Sequence, residues 1–176
     1  MTLEATSVTR DILFISKATP GDDEFVLWLA PRLEAAGYTV FADILSLEPG
    51  DRWRKQVTGT LQNKAIKMLL CCSDSSLGKD GVQEEIGIGL DLAKELPDPR
   101  FIIPLRLEKF KKLFGIGELQ YVDFVGSWAK GLRDLLDPTA QAVDTARRWR
   151  PVGSSYGLES TFSGTPAGRA AAWQCP

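Results

Sequence analysis

The chain has 176 residues, of which 44% are hydrophobic and 25% charged, a balance typical of a soluble globular protein with a sizeable core. Its formal net charge of −2 excludes attraction to nucleic acid or anionic lipid driven by bulk charge. The chain contains no histidine, which excludes Ser-His-Asp hydrolases, Cys-His proteases and His-ligated zinc enzymes. Acid–base chemistry must therefore use carboxylate, lysine, tyrosine or cysteine side chains.

The chain opens with a strand–helix–strand pattern. Residues 11–16 form a short apolar run rich in β-formers and predict the first strand. Thr19 is expected to cap a helix that ends at Gly37 and that Pro31 should kink. Residues 38–42 predict the second strand. A loop with a Glu-Pro-Gly turn signature follows.

The middle of the chain repeats this alternation. Residues 52–61 predict a short helix, and residues 65–72 a third strand that is almost continuously apolar. Such a strand is typical of a parallel sheet covered on both faces. A polar loop over residues 73–80 leads to a helix over residues 81–95.

Two further strands and a helix complete the pattern. Residues 101–107 predict a fourth strand, in which Pro104 indicates a sheet edge or a bulge. Residues 121–124 predict a fifth strand, and Ser127 caps a last helix through Leu136. Five alternations of strand and helix predict a doubly wound α/β domain of flavodoxin-like type. Its ligands should bind beyond the carboxyl ends of the strands.

The chain divides into an N-terminal segment (1–10), one domain (11–137), and a linker with a disordered tail (138–176), where the periodicity is lost. Its three cysteines are odd in number and have no framework spacing, which predicts a reduced protein without disulfides. No apolar run approaches the ~20 residues of a membrane span, and no signal-peptide core is present. We therefore expect a cytoplasmic protein that does not enter the membrane.

Two neighbouring glutamates differ in helical phase. On the helix over residues 81–95, Glu85 falls about 85° from the centre of the apolar face, whereas Glu84 falls about 175° away in solvent. A glutamate in the first turn of a helix often only compensates the helix dipole, and we expect no other role for Glu84. Glu85, at the rim of the core and near the strand ends, is a plausible catalytic carboxylate.

Other candidate groups stand at the ends of the predicted strands. Asp43 follows the second strand, where an acid can bind ribose hydroxyls or form a local turn. Ser16 and Ser73 end the first and third strands, where a hydroxyl binds a ligand or caps locally. Phe41 and Trp53 are aromatic residues that could stack on a flat base. No G-x-G-x-x-G motif follows the first strand, so a Rossmann pyrophosphate site is excluded.

Four segments together resemble the motifs of a TIR domain: residues 11–16, 37–43, 47–50 and 81–86, of which the third matches the BB loop and the fourth the catalytic helix. The match covers the chain from about residue 11 to residue 137. It is most similar to the TIR half of bacterial TIR–APAZ proteins that accompany short Argonautes. The segments that carry this closer similarity are residues 14–20, 43–47, 101–105 and 127–137.

The resemblance implies a five-stranded parallel sheet and an NAD glycohydrolase that cleaves the nicotinamide–ribose bond in prokaryotic immunity. The family's catalytic glutamate matches Glu85. NAD is then a substrate, with no other cofactor and no metal. We expect substrate contacts at the strand ends, from Ser16, Lys17, Phe41, Asp43 and Ser73.

The resemblance also implies activation by assembly. The loop expected to contact a second TIR domain contributes Ile44, Leu45, Leu47, Pro49 and Gly50. A short Argonaute with its guide and target nucleic acid is a further expected partner. The alternative function is a catalytically silent TIR interaction module. A phospho-receiver of the same fold is excluded, since Lys17 and Cys72-Ser73 stand where it needs acids.

Overall fold

The computed structural model describes residues 10–43, 53–96, 98–109 and 116–137. These residues form one five-stranded sheet in the order β2-β1-β3-β4-β5, in which every pair of neighbours is parallel. The strands are β1 (Ile12–Ser16), β2 (Thr39–Phe41), β3 (Ala65–Cys72), β4 (Ile102–Arg106) and β5 (Val122–Asp123). The helices are α1 (Asp23–Ala35), α2 (Trp53–Asn63), α3 (Asp74–Leu77), α4 (Asp80–Glu95) and α5 (Trp128–Leu136). The predicted flavodoxin-like fold is confirmed.

Each face of the sheet carries its own apolar layer, which explains the uninterrupted apolar run of β3. Side chains alternate along a strand, so Met68 and Leu70 face one layer while Leu69 and Cys71 face the other. The first layer includes side chains of α2 and α4, namely Val57, Leu61, Val82, Ile86 and Leu92. The second includes side chains of α1 and α5, namely Phe25, Val26, Leu29, Leu33 and Leu135.

The start of α1 differs from the prediction. The helix begins at Asp23, preceded by Asp22 as N-cap residue, and not at Thr19. The carboxylate of Asp22 accepts hydrogen bonds from the Ala18 backbone N–H (2.9 Å) and from Ser73 Oγ (2.7 Å). These bonds hold the β1–α1 connection as a turn, so the helix begins later in the sequence than predicted. At its other end, α1 stops before Gly37 (φ +92°), as predicted.

Pro31 lies inside α1 without ending it. The helix continues through Pro31 to Ala35, with Leu29 and Leu33 buried on its inner side. Pro31 itself is exposed, so its ring does not displace the apolar face. Packing of that face offsets the hydrogen bond that proline removes.

Pro104 lies in an interior strand, so the prediction of an edge strand is wrong for β4 as a whole. The backbone N–H of Leu107 bonds to β3, whereas the carbonyl of Arg106 accepts from Phe124 next to β5. Even-numbered residues of β4 therefore turn their backbone toward β5. Pairing with β5 begins only at Leu105, so the missing N–H of Pro104 costs no ladder bond there.

The predicted polar loop after β3 contains the short helix α3. Its N-cap residue is Ser73, whose hydroxyl accepts a hydrogen bond from the backbone N–H of Ser76. The predicted cap of α5 is confirmed, because Ser127 Oγ accepts from the Lys130 N–H at 3.3 Å. Cys71 and Cys72 are free and buried. Burial raises the pKa of the Cys72 thiol to about 12.

Candidate active site

Four of the predicted site residues come together beyond the carboxyl ends of β1 and β2. Ser16 is the last residue of β1, and Lys17 follows it. Asp43 follows β2 by two positions, and Glu85 lies in the second turn of α4. The parallel sheet creates this meeting point, because all its strands end at the same edge.

The phase of α4 decides which glutamate faces the sheet. Val82, Ile86 and Gly89 are buried, Glu85 is half-buried, and Glu84 is exposed, as the helical phase predicts. Glu84 pairs instead with the exposed Arg54 at 3.3 Å.

Gly89 allows α4 to approach the sheet closely. A β-carbon at this position would lie 2.8 Å from Met68 Sδ and 3.0 Å from Ile102 Cδ1. A larger residue would therefore require the side chains of Met68 and Ile102 to shift, or α4 to move away from β3 and β4. Glu85 lies one turn earlier on the same helix, beside β1, where it meets Ser16.

The hydroxyl of Ser16 holds the carboxylate of Glu85. Ser16 Oγ donates a hydrogen bond to Glu85 Oε2 at 2.5 Å, and Ser16 is buried. Burial raises the pKa of Glu85 to about 7, and the charges of Asp43 and Glu84 act in the same direction. The Ser16 hydrogen bond and the charge of Lys17 favour the ionised form but do not cancel the effect of burial.

Lys17 is an ammonium group enclosed by oxygen atoms. Its Nζ lies 2.5 Å from Thr19 Oγ1, 2.7 Å from Asp23 Oδ1 and 2.8 Å from Asp43 Oδ1. Burial alone would lower the pKa of Lys17, but hydrogen bonds to Asp23 and Asp43 and their charges outweigh it and raise the pKa. Lys17 is therefore a cation at neutral pH.

Negative charge dominates this site once Glu85 ionises. The carboxylates of Asp23 and Asp43 both pair with the single ammonium of Lys17, and the charges of Asp43 and Lys17 both act on Glu85. Such a site favours a cationic group, or a transition state in which positive charge develops. Among the described residues, no group of three or more Cys, Asp or Glu side chains is placed to hold a metal ion.

Ser73 is not part of this cluster. Its hydroxyl donates to Asp22 Oδ1 at 2.7 Å and accepts from the Ser76 N–H at 3.1 Å, which makes it a buried cap of α3. The local role considered for Ser73 is therefore the one that the structure shows. Ser76 takes part in the same network through a 2.6 Å bond from its Oγ to the Cys71 carbonyl.

Phe41 lies in the core. Its ring stacks on Phe14 with centroids 5.6 Å apart and an interplanar angle of 18°, and only 7% of Phe41 is exposed. This packing leaves little of the ring for a ligand, so its predicted role in stacking on the substrate has no support in this contact. The side chain of Trp53 and the loop residues Ile44, Leu45, Leu47, Pro49 and Gly50 lie outside the described residues.

Phe41→Ala is expected to lower the free energy of unfolding by about 3–5 kcal/mol, because it removes a stacked core ring. From the sequence alone, the same change is predicted to weaken NAD turnover by the value of one stacking contact, about 1–3 kcal/mol or less. Urea denaturation tests the first expectation, with Leu27→Ala as control, since Leu27 is an exposed apolar residue. Unchanged stability together with weaker substrate binding would restore the stacking role.

The sequence interpretation missed the role of Asp23. Asp23 lies in the first turn of α1, where an acid ordinarily compensates the helix dipole. The structure adds its ion pair with Lys17, whose side chain reaches back across the β1–α1 connection. No spacing in the sequence signals this contact.

Comparison with known proteins decides the family. The family model described as TIR domain matches residues 13–136. The chain belongs to the TIR domain family. This TIR domain is 55% identical over 130 residues to "Uncharacterized protein y4cD" of Sinorhizobium fredii (strain NBRC 101917 / NGR234). That match covers 74% of this chain but only 20% of the relative, so the chain spans about a fifth of the relative's length.

A solved structure agrees in fold. The TIR domain of the Toll-related receptor TRR-2 from Hydra magnipapillata superposes with a TM-score of 0.57 at 21% identity. The alignment covers 73% of this chain and all of that structure. In the part of the TIR domain that the structure describes, no helix is long and apolar enough to cross a membrane.

Proposed function

We propose that this TIR domain cleaves the bond between nicotinamide and ribose in NAD, with Glu85 as the catalytic carboxylate. The observation that carries the proposal is the half-buried Glu85 carboxylate, held by Ser16 beyond the carboxyl ends of the strands. A carboxylate enclosed at the ligand-binding edge of an α/β sheet has a raised pKa that a purely structural glutamate seldom needs.

The reaction needs no histidine. When the glycosidic bond breaks, its electron pair stays with the nicotinamide nitrogen, so the cationic ring leaves as a neutral molecule without a general acid. Positive charge then develops on the ribose, as in glycoside hydrolysis. The carboxylate of Glu85 stabilises that charge. Water attacks C1′, forms the new C–O bond and releases a proton.

Asp43 is the second group that we assign to the substrate. Its side chain is 32% exposed and lies near enough to Glu85 for its charge to raise the pKa of that carboxyl. Carboxylate oxygens at the end of the second strand can accept hydrogen bonds from ribose hydroxyls. We infer that Asp43 orients the ribose while Glu85 faces the reacting carbon.

Assembly belongs to the same proposal. TIR domains commonly self-associate. The apolar side chains of Ile44, Leu45 and Leu47 on the predicted loop favour a contact with a second TIR domain. We infer that this contact completes the site and that the activity has a role in prokaryotic immunity. The similarity to TIR–APAZ proteins adds a short Argonaute as a proposed partner.

Release of nicotinamide from NAD is the experiment that tests this function. The protein is incubated with NAD from nanomolar to high micromolar concentration, with and without a crowding agent, and the products are separated to distinguish ADP-ribose from a cyclised form. We expect the rate per chain to rise with concentration, and Leu45→Asp to suppress the rise. No nicotinamide under any condition would favour the silent interaction module, and a constant rate per chain in a monomer would contradict the assembly step.

Ser16→Ala is expected to shift the pH dependence of NAD cleavage. The wild-type kcat/KM should rise through pH 7, because the ionised Glu85 is the active form and its pKa is about 7. The Ser16 hydrogen bond lowers that pKa, so its loss should move the rise to higher pH. At pH 7 we expect roughly 10-fold lower kcat/KM, recovered partly at higher pH.

The control for this shift is Ser75→Ala, which changes an exposed serine on α3. It should leave the pH profile unchanged. A Ser16→Ala profile that coincides with the wild type would show that Ser16 does not act through Glu85.

A further inference from the structure

We propose that Lys17 is a positioning residue that fixes the carboxylate of Asp43 beside Glu85, and that Lys17 does not itself contact the substrate. The kinetic part of this inference rests on the proposed NAD cleavage. Its structural part concerns only the contacts among Lys17, Asp23 and Asp43.

The geometry of the ammonium group is the first argument. A lysine ammonium has three N–H donors, and Nζ of Lys17 has three oxygen acceptors within 2.8 Å, from Thr19, Asp23 and Asp43. The side chain is only 1% exposed. A phosphate or ribose oxygen would have to displace one of these acceptors to reach Nζ.

The second argument is where the three acceptors come from. Asp23 belongs to the first turn of α1, and Lys17 follows β1. Asp43 follows β2, the neighbour of β1 in the sheet. Lys17 therefore links the first turn of α1 to the carboxylate that follows the neighbouring strand. Oδ1 of Asp43 is held, while the side chain keeps 32% exposure to solvent.

The third argument is charge. Without Lys17, the carboxylate of Asp43 would face Glu85 with no ammonium group beside it to offset the two like charges. Mutual repulsion of like charges would then favour movement of Asp43 away from Glu85. The buried ammonium of Lys17 thus allows Asp43 to remain near the catalytic carboxylate. Two adjacent residues at the end of β1 thus hold the two carboxylates: Ser16 binds Glu85, and Lys17 binds Asp43.

A double-mutant cycle tests the inference. The proteins compared are the wild type, Lys17→Met, Asp43→Asn and the double variant. If Lys17 acts only through Asp43, each single change should raise KM for NAD about 10-fold, and the double variant should be no worse than either. Lys17→Arg should recover part of the loss. Lys94→Met is the matched control, because the Lys94 side chain is 79% exposed.

A direct phosphate contact predicts a different result. The losses in the double variant would multiply, and Lys17→Met would impair NAD much more than nicotinamide riboside, which carries no phosphate. Either result overturns the inference. Equal relative losses with both substrates support it.

Urea denaturation of the same four proteins separates this inference from the proposed function. Non-additive changes in stability between Lys17 and Asp43 are expected whether or not the protein cleaves NAD. Additive changes overturn the positioning role. If Lys17→Met fails to fold, Lys17→Gln takes its place in both cycles. A wild type that shows coupling but no nicotinamide release would contradict the proposed function and retain the structural link.

Discussion

Glu85→Gln is expected to lower the rate of nicotinamide release by at least about 100-fold, whereas Glu84→Gln should leave it within about 2-fold of the wild type. Both substitutions keep the size of the side chain and remove one negative charge. The two positions are adjacent on α4, so differences in helix propensity cancel.

The environments of the two glutamates explain the contrast. Glu85 is half-buried and bound to Ser16, where an ionised carboxylate acts at short range in a water-poor site. Glu84 is exposed and pairs with Arg54, and such surface pairs contribute at most about 1 kcal/mol. Loss of the Glu84 charge therefore changes the field at the ribose only slightly.

The measurement is the initial rate with saturating NAD, at a protein concentration where the wild type is assembled. Circular dichroism should show the same helix content for all three proteins. Full activity in Glu85→Gln, or a loss confined to Glu84→Gln, would remove Glu85 from the proposed mechanism. Loss in both variants would point to a field effect of the whole helix.

Periodicity was sufficient to place Glu85. The spacing of Val82, Ile86 and Gly89 defines the buried stripe of α4, and the position of Glu85 at its rim follows from 3.6 residues per turn. The parallel sheet followed from the apolar run of β3 in the same way. The phase of a helix and the apolar run of a strand both depend on residues close together in the sequence, so both can be predicted from a single sequence.

Contacts between distant segments could not be predicted. Phe41 meets Phe14 because β2 pairs with β1 in a register that aligns these two residues. Ser73 bonds to Asp22 because β3 lies beside β1. Each outcome depends on strand order, which no local pattern encodes. An aromatic or a hydroxyl near a strand end is compatible with both a core role and a ligand role until that order is known.

The ion pairs at the site also could not be predicted from the sequence. Lys17 and Asp43 were both assigned to the substrate from their positions at strand ends, yet the structure places them 2.8 Å apart in an ion pair. A residue that holds its neighbour cannot be separated by sequence alone from one that contacts a ligand. The number of oxygen acceptors around Nζ of Lys17, which only the structure shows, distinguishes these two roles.

The raised pKa of Glu85 has a consequence for stability that does not depend on catalysis. The pKa of Glu85 is about 7 in the folded protein, whereas the pKa of an unperturbed glutamate is 4.5. Between these values the folded state binds more protons than the unfolded state, so stability falls as pH rises through this window. Below pH 4.5 both states hold the proton, and above pH 7 the cost of burying the charge is fully present.

Glu85→Gln is therefore expected to stabilise the fold at alkaline pH while it lowers the rate of nicotinamide release. The full pKa difference corresponds to about 3 kcal/mol, and we expect a gain of about 1–3 kcal/mol at pH 8.5 with almost none at pH 4.5, because glutamine resembles the protonated acid and keeps a partner in Ser16. Urea denaturation of wild type, Glu85→Gln and Glu84→Gln at both pH values measures it. The exposed Glu84 position should show no such pH-dependent gain. A Glu85→Gln protein less stable than the wild type at pH 8.5 would mean that the carboxylate stabilises the fold. The half-buried charge would then have a structural explanation and would no longer support a catalytic role.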